Sequence, residues 1–335
     1  FIVLTSPIAG ELIDRYGPRR PYIAGLGVYA VGGGAGLFVD SFVPLLFSRA
    51  VLGVGVAFVY TGITVLIYDL YQGQRMDRAL GLRAGANSVG AAVWPLVGGA
   101  LGVLSWQAPF AVYLIAIPLG LVALAVVPET GRGTAGGDRN GSVGAPSGPD
   151  GTLGDGLFDV LRRRPALLAV YTLYFAANAL LYSIVVFYPQ LLAEIGVGSA
   201  FGIGLYLSAN GIAGGVTSVL YDRFKQRVGA LALVLVAFIL WLAAFGAMVV
   251  VATPLAAFAP VILFGLGLGV VFPSVFTWIE SLVPAEKQGQ FSSYAAMAGY
   301  IGQFAAPVVF GPLVAPFGVR GVFIAAALAA AIGIV

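Results

Sequence analysis

The sequence contains no cysteine and no histidine among its 335 residues. The lack of cysteine excludes disulfides, a thiolate nucleophile and cysteine-bound metals. The lack of histidine removes the commonest general base and metal ligand, and the side chain that most often changes charge near neutral pH. We therefore expect neither a cofactor nor a metal site.

Charged residues are also scarce. They make up 9% of the chain, whereas hydrophobic residues make up 60%; a soluble domain carries about 25% charged residues. The formal charge of +3 comes from arginines beside apolar runs and not from a basic face, so no nucleic acid partner is expected. The composition indicates a protein that is solvated mainly by lipid.

Ten apolar stretches approach the length of about 20 residues that crosses a bilayer as a helix. They cover residues 21–39, 43–68, 79–103, 108–127, 165–192, 200–220, 229–251, 256–279, 291–314 and 318–335. Residues 1–13 resemble the second half of a further apolar stretch of this kind. In lipid every backbone N–H and C=O needs an internal partner, so these segments must be helices and the fold class is an all-α polytopic membrane protein.

One charged signature occurs twice, about 210 residues apart. The first copy contains Asp14 and Arg15, and the second contains Asp222 and Arg223. Other landmarks repeat at offsets of 211 or 212 residues: Asp69 with Glu280, Gly90 with Gly302, Pro95 with Pro307, and Gly99 with Gly311. A long repeat of this kind in a membrane protein is typical of a transporter built from two similar halves.

The repeat also predicts the domain organisation. Stretch 165–192 has no counterpart in the first half, because the chain opens on Phe1 within an apolar run. We therefore expect a twelve-helix parent whose helix 1 and the start of helix 2 are absent. Residues 1–128 would hold helices 2–6 and residues 165–335 helices 7–12. The segment 129–164 would be a linker, since it is rich in Gly, Ser, Pro and Asp.

Lysine and arginine in the short loops indicate the orientation in the membrane. They collect on one side, which includes the loops 10–21, 129–164 and 222–228, while the loops of the other side hold only Arg320 as a cation. These three loops are therefore expected to be cytoplasmic, in a multi-pass protein of the cell membrane.

Three motifs resemble those of the major facilitator superfamily. The loop at residues 10–20 looks like its motif A, and Arg49 with Gly53 and Gly55 resembles motif B. The stretch 90–99 is similar to motif C, which marks antiporters in that family. The resemblance is closest to the twelve-helix drug/proton antiporters. It implies two helical halves around a central cavity that opens alternately to the two sides.

Motif A is expected to act as a cytoplasmic latch. Asp14 stands where helix 3 begins, so it can cap free N–H groups there. Arg15, Arg19 and Arg20 are then available to carboxylates, of which Asp69 at the end of helix 4 is best placed. The second half supplies Asp222, Arg223 and Glu280 at the matching positions. The family match implies that this network closes the cytoplasmic side of the outward-facing state; alternatively, these cations are only anchors at the membrane surface.

Arg49 is the candidate residue for substrate binding or proton coupling. A guanidinium inside a span costs several kcal/mol unless it faces a cavity or a partner. The aligned position of the second half is Val261, so the repeat does not require this charge for packing. The alternative is that Arg49 extends to the outer surface of the membrane. Its expected partner is a carboxylate on helix 1. The fourteen Asp and Glu residues of the chain lie in loops or near helix ends, so either helix 1 carries the proton or coupling does not use a carboxylate in the middle of the membrane.

Motif C has a steric interpretation. Its glycines would let helix 5 approach a neighbouring helix closely, and its proline would bend the helix. The residues concerned are Gly90, Pro95, Gly98 and Gly99. The alternative is a generic packing helix.

Polar side chains within the spans are candidates for a cavity wall or for contacts between helices. One set recurs every three or four residues on helix 7, and so shares one face. These cavity candidates are Tyr171, Tyr174, Asn178 and Tyr182, with Asn87, Tyr300 and Gln303 on other helices.

Together these features predict a transporter and not an enzyme, because no paired carboxylates, metal set or activated serine lies within the spans. Efflux of a small, lipophilic compound by proton antiport is the leading hypothesis, with the small molecule, protons and the bilayer as partners and the chain as a monomer. The alternative is a symporter or uniporter for a nutrient such as a sugar or an organic anion.

Overall fold

The computed structural model describes residues 2–128, 165–283 and 288–334. Eleven α-helices follow one another in these ranges. They are α1 (Ile2–Tyr16), α2 (Arg19–Gly34), α3 (Phe42–Leu70), α4 (Gln74–Gly102), α5 (Ala116–Val126), α6 (Pro165–Glu194), α7 (Ala200–Val228), α8 (Ala230–Val250), α9 (Phe258–Leu282), α10 (Gln288–Phe310) and α11 (Val314–Ile332). The all-α prediction is confirmed, and α1–α11 correspond in order to the expected helices 2–12. The expected linker 129–164 lies outside the described ranges.

Seven helical stretches in the described part of the chain are long and apolar enough to cross a membrane. The sequence predicts ten nearly complete spans. The stretch 79–103, on α4, is not among the seven, and the other two differences have local causes. Helix α2 has 16 residues before it tightens into a 3₁₀ turn at Ala35–Leu37. Helices α10 and α11 are joined by a single 3₁₀ turn, so that Tyr294–Ile332 forms one apolar stretch.

The helices group into two compact units. The first covers Phe1–Gly85 and Leu104–Gly156, and the second covers Ala86–Val103 and Leu157–Val335. Helix α4 contributes to both units, because its second half packs with the later helices. The boundary at residue 128 that the sequence predicts therefore stays a prediction.

In the first unit, α2 and α3 pack with their backbones close together. A side chain on Gly32 of α2 would overlap the backbone of Leu52 on α3, and one on Gly55 of α3 would overlap Tyr29 on α2. Small residues allow such contacts between membrane helices. This contact fixes the part of α3 that bears Arg49.

In the second unit, an aromatic cluster fills the core between α8, α9 and α11. The Trp241 and Phe264 rings stack with centroids 5.2 Å apart, and Trp241 Nε1 donates a hydrogen bond to Phe264 O at 3.0 Å. The Phe245 ring meets the edge of Phe264 and stacks on Phe323. Large apolar side chains also cover the outside, for example Val219 and Phe304, which are 83% and 74% exposed. A bilayer solvates such a surface, whereas water does not.

Candidate functional site

Arg49 is the eighth residue of α3, and its guanidinium binds the end of α2. Nη2 donates to Gly32 O at 3.1 Å and to Gly33 O at 2.9 Å, and Nε donates to Ser48 Oγ at 3.3 Å. The last carbonyls of a helix carry the negative end of its dipole, so a cation is stabilised there. Arg49 therefore ties α3 to the C-terminal turn of α2.

Aromatic rings flank the same guanidinium. Its Cζ lies 4.7 Å from the ring centroid of Phe110 and 5.4 Å from that of Tyr113, both on the 3₁₀ helix Ala108–Ile115. Such cation–π contacts contribute about 0.5–2 kcal/mol each. Within the ranges that the structure covers, Arg49 makes no ion pair with a carboxylate. Its role in coupling, and its carboxylate partner on helix 1, stay predictions.

Arg83 is a second cation in a stretch that the sequence predicts to cross the membrane, and sequence reasoning missed it. It lies within the apolar stretch 79–103, on α4. A charge in such a stretch is the signal by which the sequence could have marked it as a candidate functional residue. Arg83 Nη1 donates to Thr64 Oγ1 at 2.8 Å, and its Cζ lies 4.3 Å from the ring centroid of Tyr60. Both partners belong to α3. The first unit thus holds two arginines whose partners here are neutral groups.

The helix ends that the sequence predicts to be cytoplasmic hold the expected latch residues. Arg19, in the first turn of α2, donates from Nη2 to Leu124 O at 2.6 Å, in the last turn of α5. Asp69 lies in the last turn of α3. Asp14 lies in the last turn of α1, so the expectation that it stands where the next helix begins is wrong, because α2 begins at Arg19, after Pro18. The side chain of Asp14 lies outside what the structure describes.

Asp222 and Arg223 lie within α7, which continues to Val228, so residues 222–228 are its last two turns and not the loop that the sequence predicts. Arg15 and Glu280 lie in the last turns of α1 and α9, and Arg20 lies in the first turn of α2. The pairing of Asp69 with these arginines stays a prediction.

The motif C glycines of α4 differ in their surroundings. A side chain on Gly99 would overlap the backbone of Ala200 at the start of α7, whereas Gly98 faces open space and Gly90 faces the ring of Trp94 on its own helix. The close approach continues along α7, where a Cβ on Gly211 would lie 2.5 Å from Ala91 O. Helix α4 therefore contacts α7 backbone to backbone within the second unit. Gly99, and not Gly98, lies at that contact.

Two of the polar side chains predicted on α6 tie it to α10. The Tyr171 hydroxyl donates to Phe291 O at 3.2 Å, and Gln303 Nε2 donates to Asn178 Oδ1 at 2.9 Å. Asn178 is only 3% exposed, and its own amide donates to Tyr174 O at 2.9 Å. Tyr171 and Asn178 are thus buried contacts between helices.

The other cavity candidates are more accessible. Tyr174 is half-buried, with its ring 5.2 Å from Phe272 and 5.7 Å from Phe276 between centroids. Tyr182 and Tyr300 are also half-buried, and Asn87 is exposed. Whether any of them lines a substrate cavity stays a prediction.

A family model described as the Major Facilitator Superfamily matches residues 1–307. The chain therefore belongs to this superfamily of membrane transporters, which confirms the prediction from motifs A, B and C. It is a multi-pass membrane protein whose family handles small-molecule substrates.

Relatives with established names match most of the chain at low identity. Multidrug resistance protein 1 of Bacillus subtilis is 25% identical over 316 residues, which cover 93% of this chain and 77% of the relative. Multidrug efflux protein YfmO of the same organism is 26% identical over 311 residues, 91% and 72% of the two chains. A solved bacterial homologue of the human lysosomal transporter Spinster, in an inward-facing and unoccupied conformation, superposes with a TM-score of 0.74. At 16% identity, covering 100% of this chain and 82% of the other, it supports the fold alone.

Proposed function

We propose that the protein exports a small, lipophilic compound in exchange for protons, by alternating access. The observation that carries this proposal is the match, over more than 90% of the chain, to two proteins named for multidrug resistance and multidrug efflux. The motif C glycine at the contact between α4 and α7 agrees with the antiporter signature. Arg49, charged and inside a span, supplies a group that can respond to a proton on a neighbouring carboxylate.

A test of this function needs purified protein in proteoliposomes with an acidic lumen. Protons that leave through an antiporter would drive the compound inwards, so a small lipophilic dye should accumulate in the vesicles. Nigericin, which dissipates the pH gradient, should abolish the accumulation. Dye uptake that ignores the gradient would contradict proton antiport and favour a uniporter.

The symporter or uniporter alternative has one observation in its favour. Arg49 and Arg83 are both cations within spans, and neither makes an ion pair with a carboxylate in the part of the chain that the structure describes. An organic anion would supply the missing charge. The same vesicles separate the two functions, because a symporter would accumulate its substrate when the lumen is alkaline.

The latch should be visible in transport kinetics. We expect Asp69→Asn to slow transport by about fivefold or more, because a coupling of 1–3 kcal/mol between the closed cytoplasmic side and the rest of the cycle would be lost. Initial rates in proteoliposomes, normalised to inserted protein, measure this. Asp40→Asn is the control: Asp40 is exposed, accepts a hydrogen bond from Gln107 Nε2 at 2.7 Å, and should transport at the wild-type rate. Equal rates for the two variants would remove the latch from the mechanism.

A further inference from the structure

We propose that Arg83, held by Thr64 and Tyr60, is an anion-binding site that accepts the carboxylate of an amphipathic substrate. This inference rests on the proposed transport function and names its substrate class. The site lies wholly within the first unit, between the first half of α4 and the second half of α3.

The guanidinium of Arg83 lies well inside the ends of both helices. Arg83 is nine residues from the start of α4, or about 13 Å along the axis at 1.5 Å per residue. Tyr60, over which it stacks, is ten residues from the end of α3, or about 15 Å. If the end of α3 is taken as the outer edge of the headgroup region, which is about 5–7 Å thick on each side, the charge lies within the hydrocarbon depth.

The contacts of Arg83 orient the guanidinium without neutralising it. The Thr64 hydroxyl donates to Tyr60 O at 2.7 Å and accepts from Arg83 Nη1, so it is used both as a hydrogen-bond donor and as an acceptor. Within the described ranges, Nε and Nη2 of Arg83 have no protein acceptor, and no carboxylate pairs with the guanidinium. Arg83 is half-buried and Tyr60 is 51% exposed, so the edge of the guanidinium that bears Nε and Nη2 is accessible.

A purely structural role does not explain the charge. A glutamine could donate the same hydrogen bond to Thr64 without the cost, several kcal/mol, of placing a cation in the membrane. A guanidinium fixed by one hydrogen bond and one ring presents its remaining N–H groups as a planar fork, which matches the two oxygens of a carboxylate. The exposed Tyr60 ring beside it offers apolar contact to the body of the same ligand.

The test compares two probes of the same shape. Naphthalene-1-carboxylate and naphthalene-1-carboxamide differ in charge, and their binding to the full-length protein in maltoside detergent can be followed by thermal shift. We expect the wild type to bind the carboxylate about tenfold or more tightly than the carboxamide, as a charged hydrogen-bonded pair requires. Arg83→Gln should lose this preference, and Arg83→Lys should keep only part of it. Arg78→Gln, an exposed cation on the same helix, should keep it all.

A second variant covers the case in which Arg83→Gln does not fold. Tyr60→Leu keeps the charge but removes the ring, and should weaken carboxylate binding by about two- to fivefold without changing carboxamide binding. A wild type without preference, a preference that survives Arg83→Gln, or carboxylate binding that Tyr60→Leu does not weaken overturns the proposal. Another result to test for is that phosphatidylglycerol raises the Tm through Arg83 while the carboxylate does not. That result would identify a lipid headgroup site and would also overturn the proposal.

The transport assay separates this site from the proposed function. If the carboxylate binds through Arg83 but no compound moves with the pH gradient, the site stands and proton antiport fails. If gradient-driven transport occurs but carboxylate and carboxamide bind equally, proton antiport stands and the Arg83 site fails.

Discussion

Replacing Arg49 with lysine is expected to slow pH-driven transport by about tenfold or more, which corresponds to a coupling energy within the usual 1–3 kcal/mol. A lysine keeps the charge. It cannot, however, bond Gly32 O and Gly33 O in one plane while lying flat against the rings of Phe110 and Tyr113. Arg49→Ala should lose both the charge and these contacts and be slower still. Dye uptake into proteoliposomes at several imposed pH gradients measures the effect.

Arg320 provides a matched control for the structural part of this effect. It lies on α11 and donates to Val249 O and Val251 O at the end of α8, beside Glu194 at 3.6 Å. Like Arg49, it therefore stabilises the C-terminal end of a neighbouring helix, by about 1.5–3 kcal/mol for each hydrogen bond from a charged group. We expect Arg320→Lys to lower the Tm and leave the dependence of transport on the pH gradient unchanged. If Arg49→Lys behaves in the same way, Arg49 is a helix-end contact and its coupling role is wrong.

Gly99→Ala and Gly211→Ala are expected to destabilise the second unit, by about 1–3 kcal/mol each. At both positions the added methyl group would overlap the backbone of the facing helix, at Ala200 and Ala91 respectively, and a backbone cannot rotate away as a side chain can. The helices would have to separate. The Tm of purified protein in detergent should fall, and transport should fall with it, because α4 would no longer contact α7 closely.

Gly98→Ala should change stability in the opposite direction. No atom lies within 4 Å of a Cβ built on Gly98, so alanine would meet no neighbour. It would also favour the helix by up to about 1 kcal/mol relative to glycine. Comparing the thermal unfolding of Gly98→Ala and Gly99→Ala separates the effect of the contact between the helices from the effect of helix propensity, because both variants change propensity in the same way. A loss of Tm in both variants, or in neither, would contradict the close approach of α4 and α7.

The polar stripe on α6 shows how far the sequence can define a site. Helical spacing placed Tyr171, Tyr174 and Asn178 on one face, but a shared face does not say what it contacts. The structure buries Asn178 against Gln303, 125 residues away, while it leaves Tyr174 half-buried beside two phenylalanines. The difference arises because the facing helix is set by tertiary packing and not by the period of the sequence.

The sequence by itself determined the class and the family of this protein. Apolar runs with few charges can only be lipid-solvated helices, and the motif around Asp14 and Arg15 identifies the superfamily. The partners of Arg49 and Arg83 were decided by the tertiary structure alone. Both arginines bind groups on an adjacent helix, and which side chains face each other there depends on the rotation and depth of each helix. Periodicity fixes neither quantity, because it relates residues along one helix and not across two.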